Sequence, residues 1–151
     1  MLVTIFGKVW RKMPKGVRRW LTRRVEANFT VSAAAVVTNG AGEVLLLNHV
    51  LRPKSGWGLP GGFVNAGEQP ADAVRREIRE ETGLELSNLE LVRIRTLGRH
   101  IEIIFRGLGV GEARVMSREI TELGWFARDE LPGEMALDQQ FVVSKTVGAD
   151  D

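Results

Sequence analysis

Residues 62–84 read GFVNAGEQPADAVRREIREETGL, and no other stretch limits the fold as tightly. Its second half predicts a short, bracketed helix. Pro70 suits a first helical turn, where a missing N–H costs nothing, and Gly83 suits the left-handed residue that ends a helix. Ala71, Val74 and Ile78 then face a core, while Asp72, Arg75 and Arg79 face water. Glu77 precedes Glu80 by three residues and Glu81 by four, so three carboxylates share one face of the last turn. Like charges that close repel, and the helix dipole adds negative potential at that end. Arg76 offsets part of the charge as the i,i+4 partner of Glu80. A divalent cation such as Mg²⁺ or Mn²⁺, held by oxygen ligands, would offset the rest. A solvated acidic face explains the same run with no ligand, so the carboxylates alone leave both readings open.

Composition narrows the chemistry. The 151 residues contain no Cys and only two His, far apart. Disulfides, thiolate zinc sites and cysteine nucleophiles are excluded, and a histidine-rich metal site is disfavoured. The length fits one compact domain. No apolar run reaches transmembrane length and no signal-peptide pattern is visible, so a cytoplasmic location is expected. Charge is uneven. Residues 1–27 carry eight Lys or Arg against Glu26 alone, and the rest has 13 basic and 18 acidic residues. A basic arm on a mildly acidic body is not the pattern of a general nucleic-acid binder, and no specific nucleic-acid partner is expected.

Within the arm, Leu2, Ile5, Phe6, Val9, Trp10 and Met13 recur at helical spacing, and Val17, Trp20, Leu21 and Val25 repeat the pattern after Pro14 and Gly16. Two short basic amphipathic helices are predicted. Their apolar stripes either pack on the domain or in a homodimer, or dock residues 1–27 on a membrane surface or polyanion. A domain follows over residues 28–147, and residues 148–151 are expected to be a disordered tail. Within the domain, residues 29–37 and 43–50 read as a hairpin about Asn39 and Gly40, with His49 structural or pocket-lining. Residues 51–62 read as a glycine-rich loop, where Arg52 and Lys54 could meet phosphate and Trp57 could pack or stack. Strands are predicted at 89–97, 100–108 and 122–126, with a tight turn near Gly98. Gly107, Gly109 and Gly111 read as a loop, residues 128–131 as a helical turn, and residues 138–147 as a final helix capped by Asp138. The pattern is α/β, a mixed sheet with helices on its faces.

The 62–84 stretch resembles the Nudix box, GX5EX7REUXEEXGU, where U is a bulky aliphatic residue. Gly62, Glu68, Arg76, Glu77, Ile78, Glu80, Glu81, Gly83 and Leu84 match every defined position. The preceding WGLPG and the later SREITELGWFARDELP are similar to Nudix sequences too, so the resemblance covers about residues 29–132. It implies a MutT-like hydrolase on an α/β/α sandwich with a mixed sheet. It implies water attack on the diphosphate of a nucleoside diphosphate linked to another moiety. By matching position, Glu77, Glu80, Glu81 and the Gly61 carbonyl would be metal ligands, for Mg²⁺ with Mn²⁺ as a substitute. Arg76, with Glu68, would hold the glutamates, while Gly62 and Gly83 would serve backbone geometry. Glu119 matches a position that some members use as general base, with Glu122 and Glu80 as competitors.

Subfamily marks do not resolve the small-molecule nucleotide substrate. Sugar nucleotides such as ADP-ribose and oxidised nucleoside triphosphates both stay open. A second class of function is a non-catalytic module that senses a nucleotide, or docks on membrane or RNA through its basic arm. Degenerate binding relatives often lose box glutamates, and here all are present.

Overall fold

The computed structural model describes residues 10–25, 27–50 and 56–147. The chain divides into two compact units, Met1–Thr30 and Val31–Asp151. In the first, residues 10–12 are helical and helix α1 spans Lys15–Val25, as the second apolar stripe predicts. Most of the first predicted helix, the loop positions Arg52 and Lys54, and the predicted tail at 148–151 lie outside the described residues.

The second unit is an α/β/α sandwich on a seven-stranded mixed sheet. β1 (Thr30–Thr38) and β2 (Val44–His49) form the predicted antiparallel hairpin. Asn39 closes it, its Oδ1 accepting the N–H of Ala41 at 2.9 Å and of Glu43 at 3.0 Å. That is the Asx turn that Asn favours. There follow β3 (Trp57–Gly58), β4 (Gly61–Phe63), helix α2 (Pro70–Thr82), β5 (Glu85–Leu97), β6 (His100–Val110), β7 (Ile120–Phe126) and helix α3 (Leu137–Val147). The strand order is β3-β2-β1-β6-β5, with β4 paired to β1 and β7 to β2.

Strand alternation builds both layers. Ala33, Ala35, Val37, Leu45 and Leu47 pack with Ala73, Val74 and Ile78 of α2. Val36, Val44 and Leu46 pack with Val142 and Val143 of α3. The nearly unbroken apolar runs of β1 and β2 are therefore what strands covered on both faces require.

Several predictions of local structure are corrected. The expected loop at 51–62 contains β3 and β4, strands too short to show a period. β3 pairs with Leu47 and Asn48 of β2, and β4 pairs with Ser32, Ala33 and Ala34 of β1. Gly107 and Gly109 lie inside β6 rather than in a loop. At Gly109 a Cβ would come within 3.1 Å of Val37 and 3.3 Å of Leu84 and Trp125, so the missing side chain serves packing. β5 starts at Glu85, because Glu85, Leu86 and Ser87 already pair with β6. Residues 128–131 are not helical; Glu130 N–H closes a turn on the Ala127 carbonyl. Asp138 sits within the first turn of α3 and is not its cap.

The Asp138 carboxylate instead meets Arg95 at 2.6 Å, and Arg95 also pairs with Glu102 across the β5–β6 ladder. The side chains of Arg95 and Glu102 are each only 13% exposed. Burial opposes the Arg95 charge, but Glu102 and Asp138 outweigh it and hold its pKa above the ordinary value. Arg95→Met is expected to cost about 3 kcal/mol, because it strands Glu102 without its cation. Urea unfolding measures this, and adding Glu102→Met should recover most of the loss.

Candidate active site

Helix α2 is fixed at both ends. Gln69 is extended and leads into Pro70, while Asp72 in the first turn complements the dipole. At the other end Gly83 turns left-handed, with φ 74°, and its N–H donates to the Arg79 carbonyl. Two further carbonyls of the last turn would lack helical partners. Met116 N–H donates to Glu81 and Arg114 N–H to Thr82, both at 2.9 Å. The turn bearing Glu80 and Glu81 is thus clamped by a segment about 30 residues later in the chain.

Arg76 organises the carboxylates. Its Nε donates to Glu68 Oε1 at 2.8 Å and its Nη2 to Glu68 Oε2 at 3.1 Å, a bidentate pair. Nη1 donates to Glu77 at 2.7 Å and reaches Glu80 at 3.4 Å. Nη2 also donates to the Phe63 carbonyl at 3.2 Å, tying the helix to the end of β4. Asn65 N–H adds a 2.9 Å bond to Glu68. The contacts of the Phe63 carbonyl, Asn65 and Met116 are made by backbone atoms, which leave no side-chain signature in a sequence.

The Arg76 hydrogen bond, followed by that from Asn65, pulls the Glu68 pKa from 4.5 to about 2. The same bonds, from Glu68 first and Glu77 second, push the Arg76 pKa up. A lowered folded pKa stabilises above the unfolded value, so the Glu68 contribution is complete above about pH 4.5 and is lost as pH falls toward 2. NMR titration is expected to find the Glu68 midpoint near 2, and Arg76→Met should return it toward 4.5. A midpoint already near 4.5 in the unmodified protein would contradict the bidentate pair.

Glu77 and Glu81 lie against β4. A Cβ at Gly62 would stand 2.5 Å from the Glu77 carboxyl carbon, so the carboxylate occupies space that any other residue would fill. Glu81, 7% exposed, accepts the Gly61 N–H at 3.3 Å. Gly61 has φ 144°, and a Cβ there would meet the Ala33 carbonyl oxygen at 2.3 Å. The two glycines thus let the helix carboxylates and the strand backbone approach each other.

Among the described residues, no three acidic, His or Cys side chains are already gathered as a metal cage. Glu77 and Glu80 rest on Arg76, and Glu81 on the Gly61 N–H. The donor chemistry nevertheless fits a hard divalent cation. Arg76 is one guanidinium set among Glu68, Glu77 and Glu80, with Glu81 at the neighbouring strand. Arg75 and Arg79 spend their hydrogen bonds outside the cluster, on the Leu86 carbonyl and on Glu85, and Arg79 reaches Glu80 only by its charge. Glu80, whose side chain is 60% exposed, makes the longest contact and can turn by rotamer alone.

The other predicted residues have their own partners. Trp57 packs edge-on against Phe126, with ring centroids 5.1 Å apart, beside the α3 core. His49 is half-buried at the end of β2, opposite Ile120. Glu119 is exposed, and its carbonyl accepts Val50 N–H at 2.9 Å. Glu122 is exposed on β7, opposite Asn48.

An α/β/α sandwich with a glutamate-rich helix turn set on a glycine strand defines a class of hydrolases. The NUDIX domain model matches residues 28–145, and the chain belongs to the Nudix hydrolase family, of the MutT-like kind. A MutT-like protein of Streptomyces ambofaciens is 34% identical over 110 residues, covering 71% of this chain and 70% of the relative. The NAD-capped RNA hydrolase NudC of Pseudomonas aeruginosa is 35% identical over 109 residues, 67% of this chain. The match spans only 37% of NudC's length. Among solved structures, a MutT NUDIX hydrolase from Burkholderia pseudomallei superposes with a TM-score of 0.68 at 31% identity, covering 76% of this chain and 95% of that one.

Proposed function

We propose that this protein hydrolyses the diphosphate linkage of a nucleoside diphosphate joined to another group, with water attacking phosphorus. Mg²⁺ is the proposed cofactor, with Mn²⁺ as a substitute. The observation that carries this is the pair Glu77 and Glu81 beside the side-chain-free strand at Gly61 and Gly62, with Glu80 on the same helix turn and Arg76 shared between Glu77 and Glu80. Family membership supports the hydrolase class. A relative named for acting on NAD-capped RNA supports a nucleotide-containing substrate.

Glu77, Glu80, Glu81 and the Gly61 carbonyl would hold the metal. When bound, the ion supplies positive charge to the diphosphate and acidity to water. Arg76 positions Glu77 and Glu80, and its own orientation is fixed by Glu68 and the Phe63 carbonyl. Gly61 lets β4 lie close against β1, and Gly62 leaves room for the Glu77 carboxylate, so backbone and metal-holding carboxylates stand side by side where the diphosphate would bind. Arg52 and Lys54 are assigned to phosphate charge. Glu119 is assigned the proton of the attacking water, with Glu122 and Glu80 as the competing bases.

The test is a nucleotide panel, including ADP-ribose and an oxidised nucleoside triphosphate, incubated with Mg²⁺. Phosphate is measured with and without added phosphatase. Turnover of at least one compound, abolished by a chelator, is expected. A folded protein inert across the panel would overturn the catalytic reading in favour of a nucleotide-sensing module.

A further inference from the structure

We infer that the first unit is a docking device for an anionic lipid surface, with α1 as its contact element. Helix α1, KGVRRWLTRRV, has five basic residues and no acidic one. Helical spacing separates its residues into two arcs. Val17, Trp20 and Leu21 lie on one, and Lys15, Arg18, Arg19 and Thr22 on the other. Val17 is 44% exposed and Trp20 57%. Arg24 follows on the same arc one turn after Trp20, and its guanidinium lies 5.1 Å from the Trp20 ring centroid, so a cation closes the C-terminal end of the apolar strip. An apolar strip edged by cations and led by a Trp suits the boundary between headgroups and acyl chains.

The cationic arc is shaped as well as charged. Trp10, Lys15, Arg18, Arg19 and Thr22 line a cleft of about 510 Å³. An interfacial helix sinks its apolar face about 5–10 Å below the headgroups. A helix is about 10–12 Å across, so the opposite arc stays at headgroup depth, where a phosphate can enter such a cleft. No helix among the described residues is long and apolar enough to cross a membrane.

Charge complementarity favours this partner. Residues 1–27 carry a net +7, and the remaining chain, with 13 basic and 18 acidic residues, carries −5. An anionic surface attracts the first unit and repels the body. Nucleic acid would use the cationic arc and could stack a base on Trp20, but it would gain nothing from Val17 and Leu21, which have no flat face. A lipid interface uses both arcs.

The test is cosedimentation of the full chain with vesicles of phosphatidylcholine alone, and of equal parts phosphatidylcholine and phosphatidylglycerol. Capture by the anionic vesicles is expected to be at least about tenfold stronger, and to weaken with salt. Arg18→Glu with Arg19→Glu should remove that advantage. Trp20→Ser should weaken capture at least about fivefold at unchanged charge. Circular dichroism of each variant checks that the helices persist. Equal capture by both vesicles, or capture indifferent to either variant, would overturn the proposal. So would binding of an oligouridylate that the charge reversal abolishes, if neither vesicle captures the chain.

Discussion

Replacing Glu81 with Gln is expected to abolish turnover and leave the protein folded. The side chain is 7% exposed and accepts the Gly61 N–H, a bond that the amide oxygen of Gln can still accept. What disappears is the charge. Losing one carboxylate ligand from a metal-assisted phosphoryl site should remove about 3 kcal/mol or more of transition-state stabilisation, which is at least about a hundredfold in kcat. The Glu81 carbonyl keeps its Met116 partner, so the clamp on the last turn survives and the urea midpoint should hardly move. Glu112→Gln, on an exposed pair with Arg114, is the control and should retain full activity. Activity that survives Glu81→Gln would contradict the assignment of this turn as the site.

Gly61→Ala is expected to give the largest loss of stability among single-atom-group changes near the box. A Cβ there would stand 2.3 Å from the Ala33 oxygen and 2.6 Å from the Ala34 Cα, both backbone atoms that cannot rotate away. The φ of 144° adds strain for any L side chain. Together these should cost about 3 kcal/mol or more. Because β4 must move off β1 to relieve the clash, the Gly61 N–H should also withdraw from Glu81, and activity should fall with stability. In urea the midpoint should drop with little change in slope. Gly40→Ala is the matched control. Nothing lies within 4 Å of a Cβ built there, and stability should stay within about 0.5 kcal/mol. A Gly61→Ala protein as stable as the parent would show that the β4 backbone is not held as described.

The helix at the centre of the site was legible because local chemistry marks both of its ends. Pro70 and Gly83 bracket it within one residue of the observed Pro70–Thr82, and spacing alone puts Val74 and Ile78 in the core. The hairpin of β1 and β2 was legible for the same reason, since Asn39 and its neighbours supply the turn. The strands β3 and β4 were not legible. Two or three residues carry no period, and glycines that admit a close approach look the same as glycines that make a turn. Gly107 and Gly109 misled in the opposite direction, since their place in β6 is set by what packs on them. Asp138 resembled a cap, but its partner Arg95 is distant in sequence and becomes visible only when β5 meets α3. In the site, the Arg76 pairing with Glu80 was readable as an i,i+4 contact. The hold on Glu81 by the Gly61 N–H was not, because it joins a side chain to backbone 20 residues away.

The most direct measurement is Mn²⁺ binding followed by electron paramagnetic resonance, in which free Mn²⁺ gives a six-line signal that bound ion loses. Added protein is expected to deplete that signal. Glu77→Gln and Glu81→Gln should each restore it, while Glu112→Gln behaves as the parent. Equal depletion by the parent, Glu77→Gln and Glu81→Gln would contradict a metal site built on the last turn of α2 beside Gly61 and Gly62.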